Sequence, residues 1–223
     1  MNKKRIIEIC DILKSTFGVP NLGNKPDPTD EYFFLVLSTK TSYKSFENVF
    51  CDLKRAVVRW ENLETIDSEV IENVIKPCGL YKIKTLWMKK AAEKMRRDFG
   101  SVTLSPLKTM KKQEVEKYLL SLPGVGIKIS KALMMYSLDY DVLPVDTHTY
   151  RVAYRLGIIK KEIYLRNERG ELHKTLEKMI PEGYRKIFHV GAVSLGRQIC
   201  LPKRPICEKC PLKLLCDFNK KKI

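Results

Sequence analysis

Leu122-Pro123-Gly124-Val125-Gly126-Ile127-Lys128 decides the reading of this chain, and Val145-Asp146-Thr147-His148 places an aspartate eighteen residues beyond the lysine. The first stretch lies between two helical patterns. Before it runs Lys111 to Leu120, with Val115, Tyr118 and Leu119 at helical spacing, and after it Lys128 to Leu138, with Ile129, Ala132, Leu133 and Tyr136. Pro123 stops the incoming helix, and Gly124 and Gly126 allow backbone conformations that a Cβ would forbid. Such a turn lets its N–H groups approach a phosphate closely, at the positive end of the outgoing helix dipole. The turn therefore reads as a phosphate clamp indifferent to base sequence; a plain helical hairpin is the alternative.

Lys128 falls in the first turn of the outgoing helix, the unfavourable end for a cation. That position, with any burial, would lower its pKa and favour the neutral amine. A neutral amine can attack a sugar C1′ or an aldehyde and form a Schiff base. A lysine that simply binds phosphate is the plainer reading. Asp146 also has a structural reading, as N-cap of a helix that starts near Thr147, and the two roles are compatible.

The bulk composition narrows the partners. The chain has 223 residues, 44% hydrophobic and 30% charged, enough for one large globular domain or two small ones. Its formal net charge is +16. A folded protein this basic usually meets a polyanion, nucleic acid before an anionic membrane surface. The longest apolar run, Tyr32 to Leu37, has six residues, far short of a membrane span. Met1-Asn2-Lys3-Lys4-Arg5 is followed by Glu8 and Asp11, which is not a secretory signal. The expected location is intracellular, in the cytoplasm or nucleoid, or the nucleus of a eukaryote.

Periodicity and breakers give helices over 3–17, 29–37, 43–58, 81–99, 147–157, 171–180 and 181–199, with Asp67 capping a short helix before Pro77. Pro181 suits the first turn of the last of these. Lys82, Lys84, Lys89 and Lys90 fall on the exposed side of the 81–99 helix, and 160–170 reads as polar and irregular. No β alternation is present, so the fold class is all-α. Cys10, Cys51 and Cys78 read as buried free thiols.

Four further cysteines, Cys200, Cys207, Cys210 and Cys216, crowd into seventeen residues with spacing C-x6-C-x2-C-x5-C. Clustered cysteines in a reducing compartment favour metal over disulfides. Zinc and a [4Fe–4S] cluster both accept four thiolates, and the residues alone do not choose, although a zinc ribbon prefers two C-x2-C pairs. The segment from Cys200 to Ile223 holds seven basic and two acidic residues. Among them Lys203 and Arg204, between the first two cysteines, are placed to meet phosphates. The Lys220-Lys221-Lys222 run reads as a solvated tail.

L-P-G-V-G-x-K followed by V-D-T-H resembles the helix-hairpin-helix DNA glycosylases, closest to the endonuclease III family, and the likeness extends over nearly the whole chain. The resemblance implies a two-lobed fold: a six-helix lobe over 20–134, and a second lobe of 1–19 and 135–223 that carries the cysteine loop, with damaged DNA in the cleft. It makes Lys128 the Schiff-base lysine and Asp146 the catalytic aspartate. It places Lys40 and Leu80 at the loops that enter the DNA gap, gives Gly124 and Gly126 to a flanking phosphate, and makes the four cysteines ligands of a [4Fe–4S] cluster. The implied activity is that of a bifunctional DNA glycosylase and AP lyase, working as a monomer on double-stranded DNA with a damaged base or abasic site, oxidised pyrimidines first. Three departures bear on the base: Lys40 where the family commonly has glutamine, Tyr43 in place of an acidic residue, and Leu195 before Gly196-Arg197 where histidine is frequent. A monofunctional mismatch glycosylase and a non-enzymatic iron–sulfur protein are the rival readings. Lys128 argues against the first, and Lys128 with Asp146 against the second.

Overall fold

The computed structural model describes residues 2–41, 43–166 and 169–220. They fold as two compact units, Met1–Leu22 with Asp141–Ile223, and Gly23–Tyr140. Tyr140 belongs to the second: its N–H donates to the Met134 carbonyl and its hydroxyl to that of Met110. Helices are the regular structure throughout the described residues.

In chain order the first unit opens with α1 (Lys3–Phe17), started by the Asn2 side chain and burying Ile6, Ile9, Cys10 and Leu13. The second unit then builds six helices: α2 (Pro28–Ser38), α3 (Tyr43–Val57), α4 (Ser68–Ile75), α5 (Tyr81–Phe99), α6 (Lys112–Leu120) and α7 (Ile127–Ser137). Pro28 and Asp27 start α2 together. The proline presets the first helical φ, and Asp27 Oδ1 accepts from the Thr29 and Asp30 amides, both at 2.9 Å. Tyr32 to Leu37 are all buried, so α2 is the central post of this unit. Trp60 stacks on Phe33 at 4.0 Å and donates from Nε1 to Asp30 Oδ1 at 2.7 Å.

The chain returns to the first unit with α8 (Thr147–Arg155), α9 (Lys161–Arg166), α10 (Arg169–Met179), α11 (Arg185–Gln198) and α12 (Asp217–Lys220). α11 is buried continuously from Phe188 to Gly196 and packs on α1 and α8. A Cβ on Gly191 would meet Leu13 Cβ at 2.7 Å, so the glycine sets how closely α1 approaches. Among the described residues no helix is long and apolar enough to cross a membrane.

Five expectations change. Lys84 is wholly buried, because three oxygens from distant positions take its ammonium: Leu37 O at 2.8 Å, Thr41 Oγ1 at 2.9 Å and Cys78 O at 2.9 Å. Lys89 is half-buried, tied to the Ile66 carbonyl. Cys51 is exposed, on the outer face of α3. Pro181 precedes its helix: 181–184 form a turn closed from Tyr184 N to Pro181 O, with Gly183 at φ 78°, and α11 starts at Arg185. The polar 160–170 segment contains α9, whose Tyr164 ring stacks between Tyr150 and Tyr154 at 4.4 and 4.0 Å. Of the lysine run near the C-terminus, Lys221 and Lys222 lie outside the described residues, as does the side chain of Tyr43.

Candidate active site

The hairpin turn is fixed from beneath. Buried Tyr32 donates its hydroxyl to the Pro123 carbonyl at 2.8 Å, and Val125 N closes onto Leu122 O at 3.2 Å. Gly124 takes φ 76°, and a Cβ there would sit 2.6 Å from the Trp87 ring. Both the conformation and the close approach require glycine. Gly126 differs from the expectation: it is extended, and a Cβ would meet nothing within 4 Å. Its use is elsewhere. It is the N-cap of α7 and places no capping side chain over the first amides, which leaves that end of the helix dipole open to an anion.

Lys128 is the second residue of α7 and half-buried. The same unit holds a group that the sequence reading passed over. Glu31, on α2, has no exposed surface. Its carboxyl accepts from Asn24 Nδ2 at 2.5 Å and from Lys25 N at 2.7 Å. Burial pushes its pKa up to about 7, against those two hydrogen bonds and the charges of Lys128 and Lys25, which pull it down. The signal was a lone carboxylate beside the apolar run of α2.

A carboxyl held near 7 binds its proton more tightly folded than unfolded, so its contribution is complete below about 4.5 and is lost as pH rises through 7. The full span is roughly 3 kcal/mol at 1.36 kcal/mol per pKa unit. Glu31→Gln removes that slope. Urea unfolding of both proteins at pH 5 and pH 8 should show the variant gaining on wild type by 1 kcal/mol or more, as an order of magnitude. Parallel pH profiles would mean that the carboxyl titrates as an ordinary one.

In the other unit, Asp146 caps α8, with Oδ1 accepting from Thr149 N at 2.8 Å. His148 beside it is half-buried, and burial lowers its pKa against the pull of Asp146, which favours the neutral ring. Arg151 holds this end of α8: Nη2 lies 3.1 Å from His148 Nδ1 and 2.9 Å from Gly196 O, while Nε donates to Cys200 O at 2.9 Å. A Cβ on Gly196 would press within 2.9 Å of His148 Nδ1. The Leu195-Gly196-Arg197 stretch thus fixes the histidine through its glycine, while Leu195 is core.

Lys40 and Leu80 are both exposed, and both have left-handed backbone, at φ 54° and 50°. A side chain in that region costs about 1–2 kcal/mol relative to glycine, so these tips are strained while displaying a side chain.

The four clustered cysteines line one pocket with Arg155, Pro205, Lys213 and Phe218. Cys210 is pushed up to about 11 by burial first, against a backbone hydrogen bond at Leu212 that pulls it down, with the other three thiols adding to the rise. Arg155 Nη1 is 3.3 Å from Cys200 Sγ and 2.7 Å from Leu201 O, and its guanidinium lies 4.7 Å from the Phe218 ring centre. Among the described residues no three His, Cys, Asp or Glu side chains converge on one ion. Four thiol side chains lining one pocket are a donor set that a metal centre can use. Lys203 and Arg204 are exposed on the loop between the first two cysteines.

Residues 34–182 match the family described as HhH-GPD superfamily base excision DNA repair protein. The chain is 27% identical to endonuclease III of Thermotoga maritima over 203 residues, 91% of this chain and 89% of that one. It is 30% identical to endonuclease III of Bacillus subtilis over 168 residues, 74% and 69% of the two. Among solved structures, a non-covalent endonuclease III–DNA complex superposes with a TM-score of 0.82 at 26% identity, covering 100% of this chain and 98% of that chain. A thermostable thymine-DNA glycosylase at 21% identity and a TM-score of 0.81 shares the fold. With its glycine hairpin, first-turn lysine and helix-capping aspartate in place, the chain belongs to the helix-hairpin-helix DNA glycosylase superfamily and, within it, to the endonuclease III family of base-excision repair enzymes.

Proposed function

We propose that this DNA glycosylase is bifunctional, releasing a damaged base and then cutting the strand as an AP lyase, with oxidised pyrimidines as its substrates. The observation that carries the reading is Lys128 in the first turn of α7, beside a hairpin turn whose glycine conformation is enforced. In this mechanism Lys128 Nζ bonds to C1′ as the base departs with the glycosidic electron pair. Opening of the sugar ring and loss of an Nζ proton give the imine; removal of a C2′ proton then expels the 3′ phosphate. Asp146 stabilises the positive charge that develops on the sugar and accepts a proton from the amine. Lys40 and Leu80 fill the gap left by the everted base, and the amides at Gly124 and Gly126 hold a flanking phosphate.

Cys200, Cys207, Cys210 and Cys216 would hold a [4Fe–4S] cluster, which supplies a rigid four-point anchor for the loop. The loop's own residues do the rest: Lys203 and Arg204 meet the DNA backbone without reading bases. Two measurements on one anaerobic preparation test the proposal. Oligonucleotides, each with one defined lesion, should be nicked, most strongly at oxidised pyrimidines. Metal analysis should find iron and sulfide at about four each per chain. Base release with no nicking favours a monofunctional enzyme, and stoichiometric zinc without iron removes the cluster.

A further inference from the structure

Lys84 occupies an unusual place for a lysine. It lies in the first turn of α5, wholly buried, and its ammonium has three donors for three acceptors. Two of those acceptors flank the two strained tips. Thr41 Oγ1, at 2.9 Å, is one residue past Lys40, and Cys78 O, at 2.9 Å, is two residues before Leu80. The third, Leu37 O at 2.8 Å, is in the last turn of α2, from which the Lys40 loop springs. Thr41 Oγ1 itself donates to Cys78 O at 2.5 Å, so the loops are joined directly as well as through the ammonium.

We infer that Lys84 and Thr41 are positioning residues that lock the Lys40 and Leu80 loops together, so that the two side chains enter DNA as a single wedge. Each tip is held in a backbone region that its residue would leave if released. The shared anchor resists that release for both at once. Burial lowers the Lys84 pKa, yet three polar acceptors favour the charged form that uses all three donors. The inference rests on the proposed role of Lys40 and Leu80, and its test has a readout that needs no catalysis.

The variants are Thr41→Val, which deletes the hydroxyl at nearly constant shape, Lys84→Met, and Thr41→Ser as the conservative control. The first readout is fluorescence of 2-aminopurine placed beside a lesion pair, which brightens when the stack opens. The second is excision of that lesion from duplex, compared with borohydride trapping on an abasic site, where no base needs to be everted. Thr41→Val should bind the duplex but fail to open the stack, and lose about 10- to 100-fold in excision, the scale of an ångström-sized misplacement. Trapping at the abasic site should change by less than about 3-fold, since eversion cost is absent there. Thr41→Ser should behave as wild type. Lys84→Met should repeat the Thr41→Val pattern if it folds, and Thr41→Val decides the matter if it does not. Wild-type-like opening by Thr41→Val, or an equal loss on both substrates, would overturn the clamp. A wild type that opens the stack in the clamp-dependent way but neither excises nor traps would leave the clamp standing and remove the enzymatic reading.

Discussion

Lys128→Gln should give no covalent product when borohydride is added to the protein on an abasic-site duplex, whereas wild type should be trapped. Glutamine has nearly the reach of lysine but cannot form an imine, so the loss is of chemistry rather than of size. The variant should still bind the duplex, because the turn proposed to hold a phosphate is built from Pro123–Gly126 and the Gly124–Trp87 packing, neither of which involves the lysine side chain. It should also stay folded, since Lys128 is only half-buried and stands at the helix end where a cation is least favourable. Strand cleavage should fall by ~1,000-fold or more, as for loss of an essential covalent group. Undiminished trapping would assign the nucleophile to another amine.

Asp146→Asn should bind and fold as wild type while turning over ~100- to 10,000-fold more slowly, the range for loss of a general base or of a charge aimed at the transition state. The structure makes this substitution a clean one. Asp146 Oδ1 caps α8 through Thr149 N, and asparagine keeps an equivalent carbonyl oxygen and caps about as well. A large drop in melting temperature would show that the aspartate matters mainly as a cap. A normal melt with slow base release and slow trapping would show that both steps use its charge, in contrast to Lys128→Gln, whose lesion is in the covalent step.

Local chemistry made much of this fold legible. Asp67 and Asp146 announce helix starts by rules that act within three residues, and α5 could be bounded from the turn before it and Gly100 after it; the cap at Asp27 and the start of α2 at Pro28 were passed over, one residue ahead of the expected 29. What stayed hidden depends on partners far away in sequence. Lys84 looked solvated because its acceptors at positions 37, 41 and 78 meet only in the folded unit. Glu31 was hidden although its donors lie only six and seven residues back, because the irregular strap at 24–25 carries no local signal that it folds onto α2. Gly126 shows the reverse limit: a motif glycine need not mean a glycine-only conformation, and here open space and an uncapped helix end are what it provides. The four cysteines were legible as a set from spacing alone, but Arg155, which covers one of their sulfurs, was not.

The indole of Trp87 lies against Gly124 in the turn that would receive a phosphate, and the chain has two tryptophans. The other, Trp60, is buried between Phe33 and the Asp30 carboxylate, well inside the core. The protein therefore carries its own optical sensor. Replacing Trp60 with phenylalanine, which keeps an aromatic ring against Phe33, leaves one emitter, and its quantum yield and wavelength should report what occupies the hairpin as it happens, with no dye attached and no strand cut.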